Sequence, residues 1–148
     1  MEIRLAKLED VDTLVSFRKQ QLIDEGDDPS VNINKELKDY FTGLFSDDKS
    51  IIWMVTDNGM PVATGGLYFF QYPPGYRNPT GIRAYIHSLY TVNQYRRQGI
   101  ATKLINLMIA EVKSRGCKVL FLLSSKDGGS VYEKIGFTKP NDYMVMRF

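Results

Sequence analysis

The sequence is short of the residues that build disulfides and metal sites. Its 148 residues include one cysteine, Cys117, and one histidine, His87. One thiol cannot form an internal disulfide, and one thiol with one imidazole cannot supply the multi-cysteine or multi-histidine sets that hold zinc. The composition therefore argues against metal catalysis, and we expect no metal cofactor.

Long apolar runs and a strong net charge are also missing. The longest apolar runs, such as residues 119–123, are far shorter than the roughly 20 residues that cross a bilayer. The N-terminus begins with alternating charges instead of an apolar signal core. The formal net charge is +2, and the basic residues are spread along the chain rather than gathered in a stripe. We therefore expect a cytoplasmic protein that binds neither a membrane nor nucleic acid.

The composition that is present is that of a globular protein. Hydrophobic residues make up 43% of the chain and charged residues 24%, which are ordinary values for this class. A chain of this length buries about 70% of its unfolded surface, which is enough for one core. No repeat, linker or low-complexity tract divides the sequence, so we predict a single domain over residues 1–148.

The spacing of apolar residues predicts the element order β-α-α-β-β-β-α-β-α-β. Helices are predicted where apolar residues recur every three to four positions, and strands where they alternate or run together between turn residues. The predicted elements are strands at about 3–5, 51–55, 62–70, 83–92, 118–123 and 143–148, and helices at about 11–22, 33–45, 100–115 and 129–135.

Two connections indicate how the predicted strands pair. The turn Asp57-Asn58-Gly59 between the second and third strands is typical of a hairpin and predicts antiparallel neighbours. The strand at 83–92, the helix at 100–115 and the strand at 118–123 form a crossover unit, whose strands are parallel neighbours. The sequence therefore predicts an α/β fold with a mixed sheet and helices on both faces.

The segment that opens the long helix predicts an anion site. A helix start leaves four backbone N–H groups unpaired and carries partial positive charge. Gly99 and Ala101 allow close approach to the backbone, and Arg96 and Arg97 add positive charge. These features fit a phosphate or pyrophosphate, although an ordinary helix start with two solvated arginines explains the same residues. The sequence has no P-loop pattern, and no dinucleotide-binding glycine motif follows the first strand.

Two motifs resemble those of the GNAT superfamily of N-acetyltransferases. That family marks its coenzyme A site with R/Q-x-x-G-x-G/A, and the pattern occurs here as Arg96-Arg97-Gln98-Gly99-Ile100-Ala101. The signature of the family's short helix occurs as Tyr132-Glu133-Lys134-Ile135-Gly136-Phe137. The order of elements is similar to that family's as well. The resemblance implies the GNAT fold, in which two central parallel strands splay apart.

The resemblance implies that acetyl-CoA is the co-substrate, and it assigns residues to the binding of that molecule. The main chain around Thr91, through Tyr90 and Val92, would pair with the pantetheine arm as if that arm were an added strand. Ser125 stands where many members carry an asparagine, and its hydroxyl could also bond pantetheine. The pyrophosphate would bind the backbone amides of the helix start, which belong to Arg97, Gln98, Gly99, Ile100, Ala101 and Thr102.

The resemblance also implies that an amine attacks the thioester directly, with two candidate catalytic residues. Tyr132 is the candidate general acid, because a phenol with a pKa near 10 keeps its proton at neutral pH and can give it to the leaving thiolate. His87 is the candidate general base, because imidazole titrates near neutral pH and arylalkylamine N-acetyltransferases, a GNAT branch, carry a histidine at the matching place. A purely structural role in packing is the alternative for each. Cys117 is not needed as a nucleophile and is expected in the core.

The motifs do not identify the acceptor amine. The acidic loop at 24–28 could attract a cationic amine or could simply be a solvated loop, and the loop at 72–79 could wall the acceptor or merely connect two strands. The resemblance also implies a homodimer, with the C-terminal strand as a candidate edge. We predict an N-acetyltransferase that moves an acetyl group from acetyl-CoA to a primary amine. The alternative is a non-catalytic acyl-CoA-binding or sensing module that retains the pocket.

Overall fold

Five strands and four helices make up the regular structure of the residues that the computed structural model describes, 1–125 and 129–148. Two short 3-10 turns precede the first and third helices. The strands are β1 Glu2–Leu5, β2 Ser50–Asp57, β3 Met60–Gln71, β4 Ile82–Thr91 and β5 Val119–Leu122, and the helices are α1 Val11–Asp24, α2 Asn34–Leu44, α3 Ile100–Ser114 and α4 Gly129–Ile135.

The strands form one mixed sheet in the order β1-β2-β3-β4-β5, which is also their order in the chain. The first three pairings are antiparallel, and β4 with β5 is parallel. The β2–β3 hairpin turns at Asn58 and Gly59, whose φ angles are 49° and 82°, as a two-residue hairpin of this kind requires. The predicted α/β class, mixed sheet, hairpin and parallel pair are confirmed.

Helices cover both faces of the sheet because side chains alternate along each strand. On β2, Ile52 and Met54 pack with α1 and α2, whereas Trp53 and Val55 pack on the other face with α3. A fully buried side chain of this size stabilises the fold by about 1.5–3 kcal/mol relative to an exposed one. The buried stripe of α3 consists of Ile100, Leu104, Ile105, Met108 and Val112.

The parallel pair separates partway along β4. β4 and β5 are paired only from Arg83 with Val119 to Ile86 with Leu122, although β4 continues to Thr91. On its other side β4 carries a bulge, because Thr64 pairs with Tyr90 while Gly66 pairs with His87, so two residues of β4 lie opposite Gly65. A wedge-shaped cleft therefore opens between the ends of β4 and β5, as the predicted splay requires.

The predicted C-terminal strand is wrong. Residues 143–148 form no strand, and their side chains are largely exposed, from 57% at Val145 to 112% at Phe148. Apolar composition favours a strand but does not supply the neighbouring backbone that a strand needs. β5 is half-buried at all four residues, because it is an edge strand in the part of the sheet described here. On α3, Leu107 is 40% exposed, and the buried position is Ile105.

The described residues contain neither a candidate membrane span nor a cluster of metal-binding side chains. Within residues 1–125 and 129–148, no helix combines the length and apolar character needed to cross a membrane. The same ranges contain no group of three or more histidine, cysteine, aspartate or glutamate side chains placed to hold a metal ion.

Candidate functional site

The start of α3 presents a cradle of unpaired backbone donors. Gly99 adopts φ 79°, in the left-handed region that glycine tolerates best, and Arg97 adopts φ 62°. In the described part of the chain, no intramolecular acceptor is hydrogen-bonded to the backbone N–H groups of residues 97–102; the first paired donor is the Lys103 N–H, on the Gly99 carbonyl at 3.0 Å. Ile100 is buried and anchors the helix, while the backbone before it is exposed. This arrangement suits an anionic group such as a phosphate.

Arg96, the first residue of the sequence motif, does not extend freely toward this cradle. Its Nη2 donates to Asp24 Oδ2 at 2.6 Å, and its Nε donates to the Thr91 carbonyl at 2.9 Å. Its guanidinium also lies 5.6 Å from the centre of the Tyr90 ring. The hydrogen bond from Arg96 lowers the pKa of Asp24 below its usual value, with a smaller contribution from Gln20. Arg96 thus ties the end of α1 to the end of β4.

The main chain of β4 beside the cleft is partly engaged in internal hydrogen bonds. The Val92 N–H donates to the Val62 carbonyl at 2.9 Å, and the Val92 carbonyl accepts from the Tyr95 N–H at 2.8 Å. The Tyr90 side chain is buried against Phe17, with ring centres 5.1 Å apart. A contact from Val92 to a bound molecule must therefore use the remaining lone pair of its carbonyl oxygen.

Gln21 supports the bulge of β4, and the sequence interpretation missed it. Its Nε2 donates to the Leu89 carbonyl at 3.1 Å, and its Oε1 accepts from Arg18 Nη1 at 3.1 Å. Arginine has donors only, so Arg18 fixes which end of the Gln21 amide faces Leu89. Residues 18, 21 and 24 recur at three-residue spacing on one face of α1. This row of polar residues, on a helix face that packs on the sheet, is the sequence signal that could have identified Gln21.

His87 is buried between the sheet and α2, with 6% of it exposed and its ring centre 6.0 Å from that of Tyr40. Its ring edge, with Cε1 and Nε2, lies where a side chain at Gly66 would be, since a Cβ there would be 2.5 Å from both atoms. The buried Nε2 has no hydrogen-bond partner among the described residues, while Nδ1 lies 3.2 Å from Ser88 Oγ. Burial, with a smaller contribution from the Arg18 charge, lowers the pKa of His87 from 6.5 to about 4. The imidazole is neutral at pH 7 and holds a proton weakly, and its role as base stays a prediction.

The lowered pKa of His87 predicts that the folded protein loses stability as the pH falls from 7 to 5. The folded pKa is below the unfolded one, so the stability is fully present above pH 6.5 and is lost as the pH falls toward 4. We expect the wild type to lose about 2 kcal/mol of unfolding free energy between pH 7 and pH 5. Urea unfolding at both pH values measures it. His87→Gln, in the only histidine of the chain, should show almost no loss, and an equal loss in both proteins would contradict the burial argument.

Tyr132 lies on α4, partly buried against the core on the α3 face. Its ring centre is 6.0 Å from that of Phe137. Burial raises the pKa of Tyr132 above its usual value near 10, and the Glu25 carboxylate raises it further. The phenol therefore keeps its proton at neutral pH, as a general acid must before it acts. The same packing also fits the structural alternative, so the acid role stays a prediction.

Two other singled-out residues occupy different settings. Ser125 is exposed just beyond the end of β5, and its side chain forms no hydrogen bond with the other described residues. Cys117 packs against the core, and its thiol faces the carbonyls of Ile82 and Val119 at 3.5 and 3.4 Å. Cys117 is half-buried at the edge of the core, so the expected core position is met only in part.

A row of aromatic side chains lies on the α1/α2 side of the cleft. Tyr85 stacks on Phe121 with ring centres 5.1 Å apart, and it lies 6.1 Å from His87. The row continues through Phe70 and Tyr72 at one end and Tyr40 of α2 at the other. In the loop at 72–79, Tyr72 joins this row, whereas Tyr76 points into solvent with 107% exposure.

The acidic loop after α1 does not act as one cluster. Asp24 is paired with Arg96, and Asp28 accepts a hydrogen bond from the Ser30 N–H at 3.0 Å. Glu25 differs, since its negative charge adds to the effect of burial in raising the pKa of both Tyr85 and Tyr132.

Comparison with known proteins gives a family match across most of the chain. The model of the acetyltransferase (GNAT) family matches residues 17–137. A crystal structure of a predicted acetyltransferase from Clostridium acetobutylicum, with acetyl-CoA, superimposes with a TM-score of 0.94 at 36% identity and covers 99% of this chain and 95% of that one.

Two curated proteins are similar over shorter stretches. N-alpha-acetyltransferase 30 of Schizosaccharomyces pombe is 40% identical over 63 residues, which is 40% of this chain and 42% of that protein. Thialysine N-epsilon-acetyltransferase of Mus musculus is 30% identical over 96 residues, which is 61% of this chain and 54% of that protein. The chain thus spans about half the length of the curated relatives it matches.

Proposed function

Because this chain belongs to the acetyltransferase (GNAT) family, we propose that it is an N-acetyltransferase that moves the acetyl group of acetyl-CoA to a primary amine. Residues 1–148 would act as one domain, without a metal ion. The observation that carries the proposal is the pair of features at the end of β4. The N–H groups of residues 97–102 are unpaired, and the adjoining strand loses its parallel neighbour after Ile86.

The residues present fit acetyl-CoA. The donors at the start of α3 would bind its pyrophosphate, as helix N-termini bind phosphates in general. The pantetheine arm would enter the cleft beside β4, near Tyr90, Thr91 and Val92, with Ser125 across the opening. Acetyl-CoA as the co-substrate is supported by the Clostridium acetobutylicum protein, which shares this fold and whose crystal structure was determined with acetyl-CoA.

The proposed chemistry asks little of the protein beyond positioning and proton transfer. The acceptor nitrogen bonds to the acetyl carbon, the carbon–sulfur bond breaks, the nitrogen loses one proton and the coenzyme A sulfur gains one. Tyr132, which holds its proton at neutral pH, would supply the proton to the sulfur. The proton from nitrogen would go to water or to His87, whose neutral imidazole has a free lone pair.

A binding protein without activity is the competing proposal. An acyl-CoA-binding or sensing module would use the same cradle and cleft, but it would have no need of a phenol at Tyr132. Turnover separates the two, since a sensing module would bind acetyl-CoA and release no thiol with any amine. A homodimer and a cytoplasmic location remain predictions from the sequence.

The proposal is tested by binding first and turnover second. We expect calorimetric titration of the full chain with acetyl-CoA to show one site with a dissociation constant of about 1 μM, because the unpaired donors and the cleft would contact the same molecule. Thiol release in the presence of amino acids, polyamines and short peptides then tests transfer. If acetyl-CoA does not bind, both the enzyme and the sensing module are excluded.

A further inference from the structure

Arg18 lies on α1, next to Gln21 and the bulge of β4. It is a cation without a counter-charge among the described residues. It donates one hydrogen bond, from Nη1 to Gln21 Oε1 at 3.1 Å, although a guanidinium carries five N–H donors. No carboxylate in the described ranges forms an ion pair with it. Its side chain is only partly exposed. A partly buried charge is disfavoured unless an anion or several hydrogen bonds compensate it.

The surroundings of Arg18 belong to the acceptor side of the cleft and not to the phosphate cradle. Gln21 joins Arg18 to the Leu89 carbonyl at the bulge of β4. The Arg18 charge contributes to the lowered pKa of His87 and opposes the rise in pKa that burial causes at Tyr40 and Tyr85. Tyr85 and His87 precede Thr91, to which Arg96 is bonded, along β4. Six residues of α1, about 9 Å along the helix axis, separate residue 18 from residue 24. The phosphates of acetyl-CoA at the start of α3 would therefore not neutralise Arg18.

Aromatic rings line the cleft on the α1/α2 side, which is also the side of Arg18. Tyr85 is stacked on Phe121 with ring centres 5.1 Å apart, and the ring of Tyr40 on α2 lies 6.0 Å from that of His87. The site thus offers a cation for an acid group and an apolar surface beside it.

We propose that the acceptor is an amino acid, whose carboxylate binds Arg18. A guanidinium fork matches a carboxylate in two parallel hydrogen bonds. A single arginine balances the one charge of a carboxylate, whereas a phosphate carries nearly two. The aromatic row would contact the side chain of the amino acid. This inference rests on the proposed N-acetyltransferase function and narrows its substrate.

The test compares amines that differ only in the carboxylate. The full chain is incubated with acetyl-CoA and each of the twenty L-amino acids, and in parallel with the matching amino acid amides, and thiol release is followed. A charge-assisted hydrogen bond is worth about 1.5–3 kcal/mol, or roughly 10- to 150-fold. We expect kcat/KM to be higher for the preferred amino acid than for its amide by about this factor, with an apolar or aromatic side chain preferred.

Arg18→Gln should raise KM for that amino acid until its kcat/KM equals that of the amide measured with the same variant. A melting temperature and an acetyl-CoA affinity close to those of the wild type show that the variant is folded. Arg18→Lys should keep part of the preference, and Lys19→Gln, at the neighbouring position, should keep all of it. Amides used as well as amino acids, a preference that survives Arg18→Gln, better use of 2-aminoethyl phosphate, or no amino acid acetylated would each overturn this inference. The N-acetyltransferase proposal fails separately, when acetyl-CoA does not bind or no amine of any class is acetylated.

Discussion

Replacing Gly99 by glutamate is expected to weaken acetyl-CoA binding by about 100-fold or more. The unpaired N–H groups of residues 97–102 offer partial positive charge to the pyrophosphate. A glutamate at residue 99 places a carboxylate beside that group and opposes it by like-charge repulsion. Calorimetric titration of wild type and variant with acetyl-CoA measures the effect.

Gly59→Glu is the matched control for Gly99→Glu. Gly59 has φ 82°, Gly99 has φ 79°, and an added Cβ at either position meets no atom within 4 Å. Both variants should lose about 1–2 kcal/mol of stability, because an L-residue is strained at positive φ. Only the variant at Gly99 should lose acetyl-CoA affinity. Wild-type affinity in Gly99→Glu would place the phosphates elsewhere, and equal losses in both variants would trace the effect to stability.

Replacing Tyr132 by phenylalanine is expected to lower kcat by about 100-fold, within the range usual for loss of a general acid. The phenol holds its proton because burial raises its pKa, and phenylalanine keeps the ring that packs against Phe137 at 6.0 Å. The dissociation constant for acetyl-CoA should change little, since the phenol acts on the leaving sulfur. Steady-state kinetics with an acetylated amine, together with calorimetry, separate the two quantities.

Tyr68→Phe is the control for the loss of a phenolic hydroxyl elsewhere. The Tyr68 hydroxyl donates to Asp47 Oδ2 at 2.6 Å, at the end of the sheet away from the start of α3, and its removal should leave kcat unchanged. If Tyr132→Phe turns over at the wild-type rate, Tyr132 only packs the short helix and the proton comes from water.

Much of the fold could be predicted because most of its helices and strands are indicated by residue patterns within a single short segment. The spacing of Ile100, Leu104 and Met108 indicates one face of a helix, and Asn58-Gly59 indicates a hairpin without knowledge of any partner. The same holds for the cradle, since a glycine before a helix start is a local feature. The structure bears out these elements and the family they resemble.

The features that the sequence did not predict depend on distant partners. Gln21 reaches Leu89 across 68 positions of the chain, and Arg96 reaches Asp24 across 72. The lowered pKa of His87 comes from burial beneath α2, which no local pattern reports. The strand predicted at 143–148 is absent for a similar reason. A strand needs a neighbouring strand to pair with, and the composition of a segment does not show whether one is present.

The strands follow one another in the sheet in the same order as in the chain. This order affects how the protein folds during synthesis. The sheet can grow one strand at a time, since each strand pairs with its predecessor in the chain, and hairpins such as β2–β3 close in about 1–10 μs. β5 must wait until α3 has emerged and crossed over, which makes it the slowest addition. The wedge between β4 and β5 is then the last region to form, so a ligand held there stabilises only those newly made chains whose folding is complete.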